Sequence, residues 1–220
     1  MGTIADNLTR IRETLPAGVV LVAVSKFHPA EAVREAYEAG QRIFGESRPQ
    51  ELVAKHALLP DDIEWHMIGH LQTNKVKYIA PFVSLVHSVD SLRLAETIDR
   101  EAARVGRAID VLLEVRVARE ETKFGWEAAE LEHFLQDGSL TGLRNIRIRG
   151  LMGMASLTDD PEQVKREFAS LRSFFERLRT EYLPEIDTLS MGMSGDYPTA
   201  IDQGATMVRI GSSIFGERNY

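Results

Sequence analysis

The chain has 220 residues, 44% hydrophobic and 27% charged, a balance that builds a buried core and excludes an intrinsically disordered chain. Its formal charge of −7 at pH 7 argues against a duplex nucleic-acid binder, which needs a basic face, though not against a local cationic pocket for a small anion. It has no cysteine, which excludes disulfides and a thiol nucleophile; it also has no basic-then-apolar leader and no apolar run near the roughly 20 residues that span a bilayer, so no membrane association and a cytoplasmic location are expected.

Taken in chain order, short β-rich runs alternate with amphipathic stretches. A first helix is predicted over Ile4–Thr14, with Ile4, Leu8, Ile11 and Leu15 on one face. The first strand is Val19–Ser25, after which Pro29 opens a helix that runs through Ala39 and ends at Gly40. Strand Arg42–Gly45 leads to helix Pro49–Leu58, strand Glu64–Ile68 to helix Asn74–Ile79, and strand Val83–His87 to a helix capped by Asp90 or Ser91 and running to Val105. The fifth strand, Ile109–Val117, reads as the longest and precedes helix Trp126–Leu135. Strand Ile146–Leu151 precedes a long helix that starts at Asp160-Pro161 and runs to Tyr182. Strand Thr188–Ser190 precedes a short helix Tyr197–Gln203, and strand Met207–Ile210 precedes a helical turn Ser212–Phe215.

Strands separated by helices pair in parallel with right-handed crossovers, and eight such units close into a (β/α)8 TIM barrel. The expected fold is therefore α/β: a single barrel domain over residues 1–220 with an extra N-terminal helix. An open doubly wound sheet is the alternative, but it would want a glycine-rich loop after the first strand, and the chain has Ser25-Lys26-Phe27-His28-Pro29 there.

Barrel active sites lie at strand C-termini, with phosphates commonly held by the last two loops. Those positions carry Lys26 after strand 1, Glu46 and Ser47 after strand 2, Gly69 and His70 after strand 3, His87 and Ser88 after strand 4, and Glu114 and Arg116 in strand 5. The loops after strands 7 and 8, Met193-Ser194-Gly195 and Arg209-Ile210-Gly211-Ser212, combine glycine, serine and a fixed cation, the chemistry of an anion cradle. A lysine across from them is the side chain that can hold an aldehyde as a Schiff base, and Arg209 beside it would favour its neutral amine. Other constellations are weaker. His66 and His70 lack an acidic third ligand for a metal, so His66 is expected to be a strand residue with a satisfied hydrogen bond and His70 a pocket-edge residue. His87 reads as a lone, structural strand-end histidine, Met191 and Met193 as packing, and 120–125 as a solvated turn that could close over the site.

Ala23-Val24-Ser25-Lys26, Phe44-Gly45-Glu46, the run Glu64 to Lys75, His87 to Ser91, Gly150 to Gly153, Leu189 to Asp196 and Gly204 to Gly211 together resemble the YggS/PROSC family of pyridoxal phosphate homeostasis proteins. The resemblance covers nearly the whole chain. It implies an alanine racemase N-terminal-domain-like barrel without the racemases' C-terminal β domain. It also implies pyridoxal 5′-phosphate (PLP) carried on Lys26, phosphate contacts from Ser194, Gly195, Gly211 and Ser212, and Arg209 facing the pyridine nitrogen, which disfavours carbanion chemistry. The chain departs from the family pattern at Ser47-Arg48-Pro49, where asparagine and tyrosine are usual, and at Arg116, where asparagine is usual.

Three readings follow: a PLP carrier in vitamin B6 and amino-acid homeostasis without strong catalysis, a PLP enzyme such as a racemase or decarboxylase, and an aldolase-type Schiff-base barrel. About ten residues follow the last strand, too few for the second domain that supplies a racemase's second base, so the carrier is expected. PLP and, as recipients, PLP-dependent apoenzymes are the partners considered, with the chain itself a monomer.

Overall fold

The computed structural model describes residues 2–117 and 124–216. The strands are β1 (Val20–Val24), β2 (Ile43–Glu46), β3 (Glu64–Met67), β4 (Leu85–Val89), β5 (Ile109–Glu114), β6 (Ile146–Met152), β7 (Thr188–Ser190) and β8 (Met207–Ile210). They close in sequence order into a barrel, every neighbouring pair parallel, with β1 pairing β8 in the register Val22↔Arg209 and Ala23↔Ile210. The helices are α1 (Ile4–Thr14), α2 (Ala30–Glu38), α3 (Pro49–His56), α4 (Val76–Ile79), α5 (Leu92–Arg104), α6 (Ala128–Gln136), α7 (Pro161–Glu181), α8 (Tyr197–Asp202) and α9 (Ser212–Phe215). Among the described residues no helix is long and apolar enough to cross a membrane.

Alternation along the strands divides the side chains into two apolar bodies. Val22, Leu85, Leu112, Met152 and Met207 fill the barrel interior. A larger body between sheet and helices includes Phe44, Trp65, Phe168, Leu171 and Phe175. The last unit, α9, is a single turn, and α1 covers the side of the barrel that a full eighth helix would cover. Its Asn7 Nδ2 donates to the Ile214 carbonyl of α9 at 2.8 Å, and Thr14 shares a 3.0 Å hydrogen bond with the Tyr197 hydroxyl of α8. The helix starts from a capping box: Thr3 Oγ1 accepts from the Asp6 N–H while Asp6 Oδ2 accepts from the Thr3 N–H.

Four sequence expectations are corrected. Strand 5 is not the longest; β5 stops at Glu114 and β6, at 7 residues, is longer. The chain leaves the sheet there because the Trp126 N–H bonds the Glu114 carbonyl (2.7 Å) and the Arg116 N–H bonds the Trp126 carbonyl (3.0 Å). This bridge also removes Trp126 from the predicted helix, so α6 starts at Ala128, and the indole N–H reaches the Val89 carbonyl at 2.8 Å. Strand β4 begins two residues later than predicted, because the Val83 N–H is bonded to the Ile79 carbonyl (2.8 Å) in the turn that ends α4. Pro29 is the residue before α2 rather than its first turn. Of the turn 120–125, residues 120–123 lie outside the described residues.

Candidate functional site

Lys26 lies two residues beyond the end of β1 and is half-buried. The turn it enters is strained: Phe27 has φ of +67°, a left-handed conformation that costs a side-chain-bearing residue roughly 1–2 kcal/mol. Two hydrogen bonds hold the backbone on either side of the lysine. Lys55 Nζ of α3 donates to the Ser25 carbonyl at 2.7 Å, and the Phe27 N–H donates to Glu51 Oε1 at 2.8 Å. Lys55 also donates to Glu46 Oε1 (2.6 Å), which accepts from the Ser25 hydroxyl (2.6 Å), and to Glu51 Oε1 (3.2 Å). Burial outweighs these partners at Glu46 and holds its carboxyl up at about 7. Beyond the turn, Arg48 lies over the Phe27 ring and His28 stacks on Phe215 of α9.

The predicted anion loops meet as expected. Ser194 Oγ accepts from the Gly211 N–H at 3.3 Å and from the Ser213 N–H at 3.5 Å, so two backbone donors after β8 point at one position beside the loop after β7. Gly211 packs on β1: a Cβ there would lie 3.1 Å from the Val24 carbonyl. A Cβ on Gly195 would meet nothing within 4 Å. A cavity of about 310 Å³ opens beside this loop, lined by Leu157, Met193, Gly195 and Asp196 among others. Ser212 is exposed on α9, and Met193 is partly exposed, its N–H held by Asp196 Oδ1 at 2.6 Å. Lys26, Ser194, Gly195, Arg209, Gly211 and Ser212 thus belong to three adjacent strand ends.

Ser47 and His70 sit further round the rim. The Ser47 backbone passes so close to Gly69 that a Cβ on the glycine would fall 2.4 Å from the Ser47 carbonyl oxygen. His70 is exposed, bonds Asp90 Oδ2 through Nδ1 at 3.1 Å, and stacks on Phe124. Arg116, beyond the end of β5, is ion-paired with Glu127.

Beneath the rim runs a polar row that the sequence did not announce. Arg209, 4% exposed, donates through Nη1 to the Ser190 carbonyl (2.9 Å) and hydroxyl (2.6 Å) and through Nη2 to the Gly153 carbonyl (3.2 Å). The Ser190 hydroxyl meets His87 Nδ1 at 3.2 Å, and His87 Nε2 meets His66 Nδ1 at 3.0 Å. His87 is therefore not lone, while His66 has the satisfied hydrogen bond expected of it. Burial keeps both imidazoles neutral, His66 pushed down to about 3 and His87 well below its usual range, the latter also by its neighbours His66 and Arg209. Burial draws Arg209 down to about 10, against the pull of Glu114 and Asp196. Glu114, 3% exposed and inward-facing two residues beyond Leu112, is held up at about 7 by burial and the charge of Asp90, with Arg209 opposing. The two-residue spacing of His87 from Leu85, Glu114 from Leu112 and Arg209 from Met207 is a period-2 signal that could have exposed the row. Among the described residues no group of three or more acidic, histidine or cysteine side chains could hold a metal ion.

The family described as "Alanine racemase, N-terminal domain" matches residues 1–219. The "Pyridoxal phosphate homeostasis protein" of Aquifex aeolicus is 44% identical over 201 residues, 91% of this chain and 87% of that protein. The solved structure of PipY from Synechococcus elongatus PCC7942 with PLP bound is 43% identical, covers 97% of this chain and all of that one, and superposes with a TM-score of 0.90. Alanine racemase of Clostridium difficile shares the fold alone: 14% identity, a TM-score of 0.79, and 99% of this chain against 57% of that one.

Proposed function

This chain belongs to the alanine racemase N-terminal-domain family and, within it, to the pyridoxal phosphate homeostasis (YggS/PROSC) proteins, and from that premise we propose that it binds PLP and serves intracellular PLP and amino-acid homeostasis as a carrier. The observation that carries this reading is the convergence of the Gly211 and Ser213 N–H groups on the Ser194 hydroxyl, with Gly211 lying against the carbonyl of Val24, two residues before Lys26. Paired backbone donors suit a phosphate oxygen, and an amine a few residues along the neighbouring strand suits the aldehyde. The residues present therefore fit the cofactor.

In this reading Ser194, Gly195, Gly211 and Ser212 hold the phosphate, Lys26 holds the aldehyde, Arg209 faces the ring nitrogen, and Ser47, His70 and Met193 border the mouth. Bound PLP supplies an aldehyde that condenses with a primary amine, the aldehyde oxygen leaving with the two amine hydrogens as water. Arg209 is a donor fixed by three hydrogen bonds, so it presents N–H groups to a ring nitrogen and gives up no proton to it, which leaves the ring a weak electron sink. A weak sink disfavours carbanion chemistry. We further take the whole chain to act as one domain, cytoplasmic and monomeric, passing PLP to apoenzymes.

The test is a visible spectrum with intact mass after borohydride reduction. PLP-loaded protein is expected to be yellow and to carry one reduced adduct on Lys26, with both signals lost in Lys26→Ala. A colourless protein trapped by borohydride only with a sugar phosphate would favour an aldolase instead. Alanine racemisation at dedicated-enzyme rates, on the order of 1–10³ per second, would refute the carrier.

A further inference from the structure

We infer that Lys55, Glu51 and Glu46 form a buried clamp that fixes the backbone on both sides of Lys26 and thereby aims its amine, which makes them positioning residues for the covalent site. The inference rests on the reading that Lys26 holds the aldehyde. Its geometry does not. The regular strand ends at Val24, and Lys26 enters a turn whose next residue has φ of +67°. A side chain in such a turn has no ladder to set its direction. Here the carbonyl before it and the N–H after it are each tied to α3, by Lys55 at 2.7 Å and Glu51 at 2.8 Å. Lys55 and Glu51 are one helical turn apart on α3, so a single helix face grips both ends of the turn. Glu46, from the end of β2, anchors the grip to the sheet: its Oε1 accepts from both Lys55 and Ser25.

The placement is costly. Lys55 is 4% exposed, and Glu46 Oε2 is buried without a hydrogen-bond partner among the described residues. Apolar side chains of similar size would join α3 to the barrel with less desolvation. A network built only for cohesion has no need to reach two backbone groups that bracket one lysine; a network that orients the lysine must do that.

The clamp is tested in the full chain with Glu51→Ala, which removes the acceptor of the Phe27 N–H, and Glu51→Gln, which keeps one. PLP is titrated by its visible band at a temperature where circular dichroism shows every variant folded, and the borohydride-fixed fraction is read by intact mass. Glu51→Ala is expected to weaken PLP binding about tenfold or more and to lower the fixed fraction at saturation, with Glu51→Gln recovering to within about threefold of the parent. The same change is then made in Lys26→Ala, where it is expected to leave residual, non-covalent PLP binding unchanged, because the clamp acts only through the lysine. Binding in Glu51→Ala equal to the parent overturns the inference. Equal losses in Glu51→Ala and Glu51→Gln do so as well, as does an undiminished effect of Glu51→Ala on the Lys26→Ala background. If the parent itself forms no band, or Lys26→Ala keeps it, the cofactor reading has failed, and the clamp falls with it for that separate reason.

Discussion

Replacing Ser190 with alanine should cost the barrel about 3 kcal/mol, and the figure can be worked from the bonds it removes. The hydroxyl accepts a charge-assisted bond from Arg209 Nη1 at 2.6 Å, a class worth about 1.5–3 kcal/mol. It also meets His87 Nδ1 at 3.2 Å, and that ring is 0% exposed, so its nitrogen is left unsatisfied at a further cost of about 1–3 kcal/mol. Two terms reduce the sum: Nη1 keeps the Ser190 carbonyl, and the truncation opens room for little more than one atom. Chains of this size lose roughly 2–4 °C of melting temperature per kcal/mol, so a fall of roughly 6–12 °C is expected. Urea unfolding at neutral pH, with an unchanged slope against denaturant, gives the free energy directly. A loss below about 0.5 kcal/mol, the scatter of an ordinary surface change, would refute the polar row as a bonded unit.

Gly150→Ala would set a Cβ 1.7 Å from the Thr188 carbonyl oxygen, backbone that cannot yield without breaking the β6–β7 pairing, so a loss of about 3 kcal/mol or more is expected, and an unchanged melting temperature would refute it. Thr3→Ala removes the Asp6 N–H cap of α1 and should cost about 1 kcal/mol in urea unfolding. Glu114→Gln changes the pH dependence of stability, read by the same unfolding at several pH values. Glu114 has a folded pKa raised from 4.5 to about 7, so its contribution is full below pH 4.5 and is lost as pH rises through 7. His66 is lowered from 6.5 to about 3, so its contribution is full above pH 6.5 and is lost on acidification, a slope of opposite sign. Removing the carboxyl should make stability rise more steeply with pH between 4.5 and 6.5 than in the parent, by at most about 1.4 kcal/mol per unit. Parallel curves for parent and variant would count against a protonated Glu114.

The barrel and its strand ends were legible because they rest on local signals. Val20 to Val24 and Met207 to Ile210 are short apolar runs bounded by turn residues, and the Ser194-Gly195 and Gly211-Ser212 loops carry their composition on the surface of the sequence. What was not legible depends on partners distant in sequence. Ser190 finds His87 across 103 positions, and Lys55 finds the Ser25 carbonyl across 30. Lys55 reads as an ordinary charged residue of an amphipathic helix, and only its spacing from Leu52 places it on the buried face. Strand β4 was shifted by two residues because Val83 has the composition of a strand but lends its N–H to the turn before it. Trp126 looked like a helix start, and its indole bond to Val89 is a tertiary contact that propensity does not register.

The inward rows of the barrel change character within two residues along β4, β5 and β8. Leu85 is followed two residues on by His87, Leu112 by Glu114 and Met207 by Arg209. The lower layer is apolar and supplies cohesion; the upper layer buries a guanidinium, two neutral imidazoles and a raised carboxyl, each of which costs desolvation. Strand β1 follows the same rule. Its inward row of Val20, Val22 and, by alternation, Val24 would reach Lys26 next, but the regular strand has ended and the turn is strained. Ladder hydrogen bonds set side-chain direction elsewhere in the upper layer; in the proposed clamp, the bonds from Lys55 and Glu51 take over that task at Lys26. In the proposed carrier, the alternation that makes the barrel floor extends one residue pair beyond the sheet, to the lysine assigned to the aldehyde.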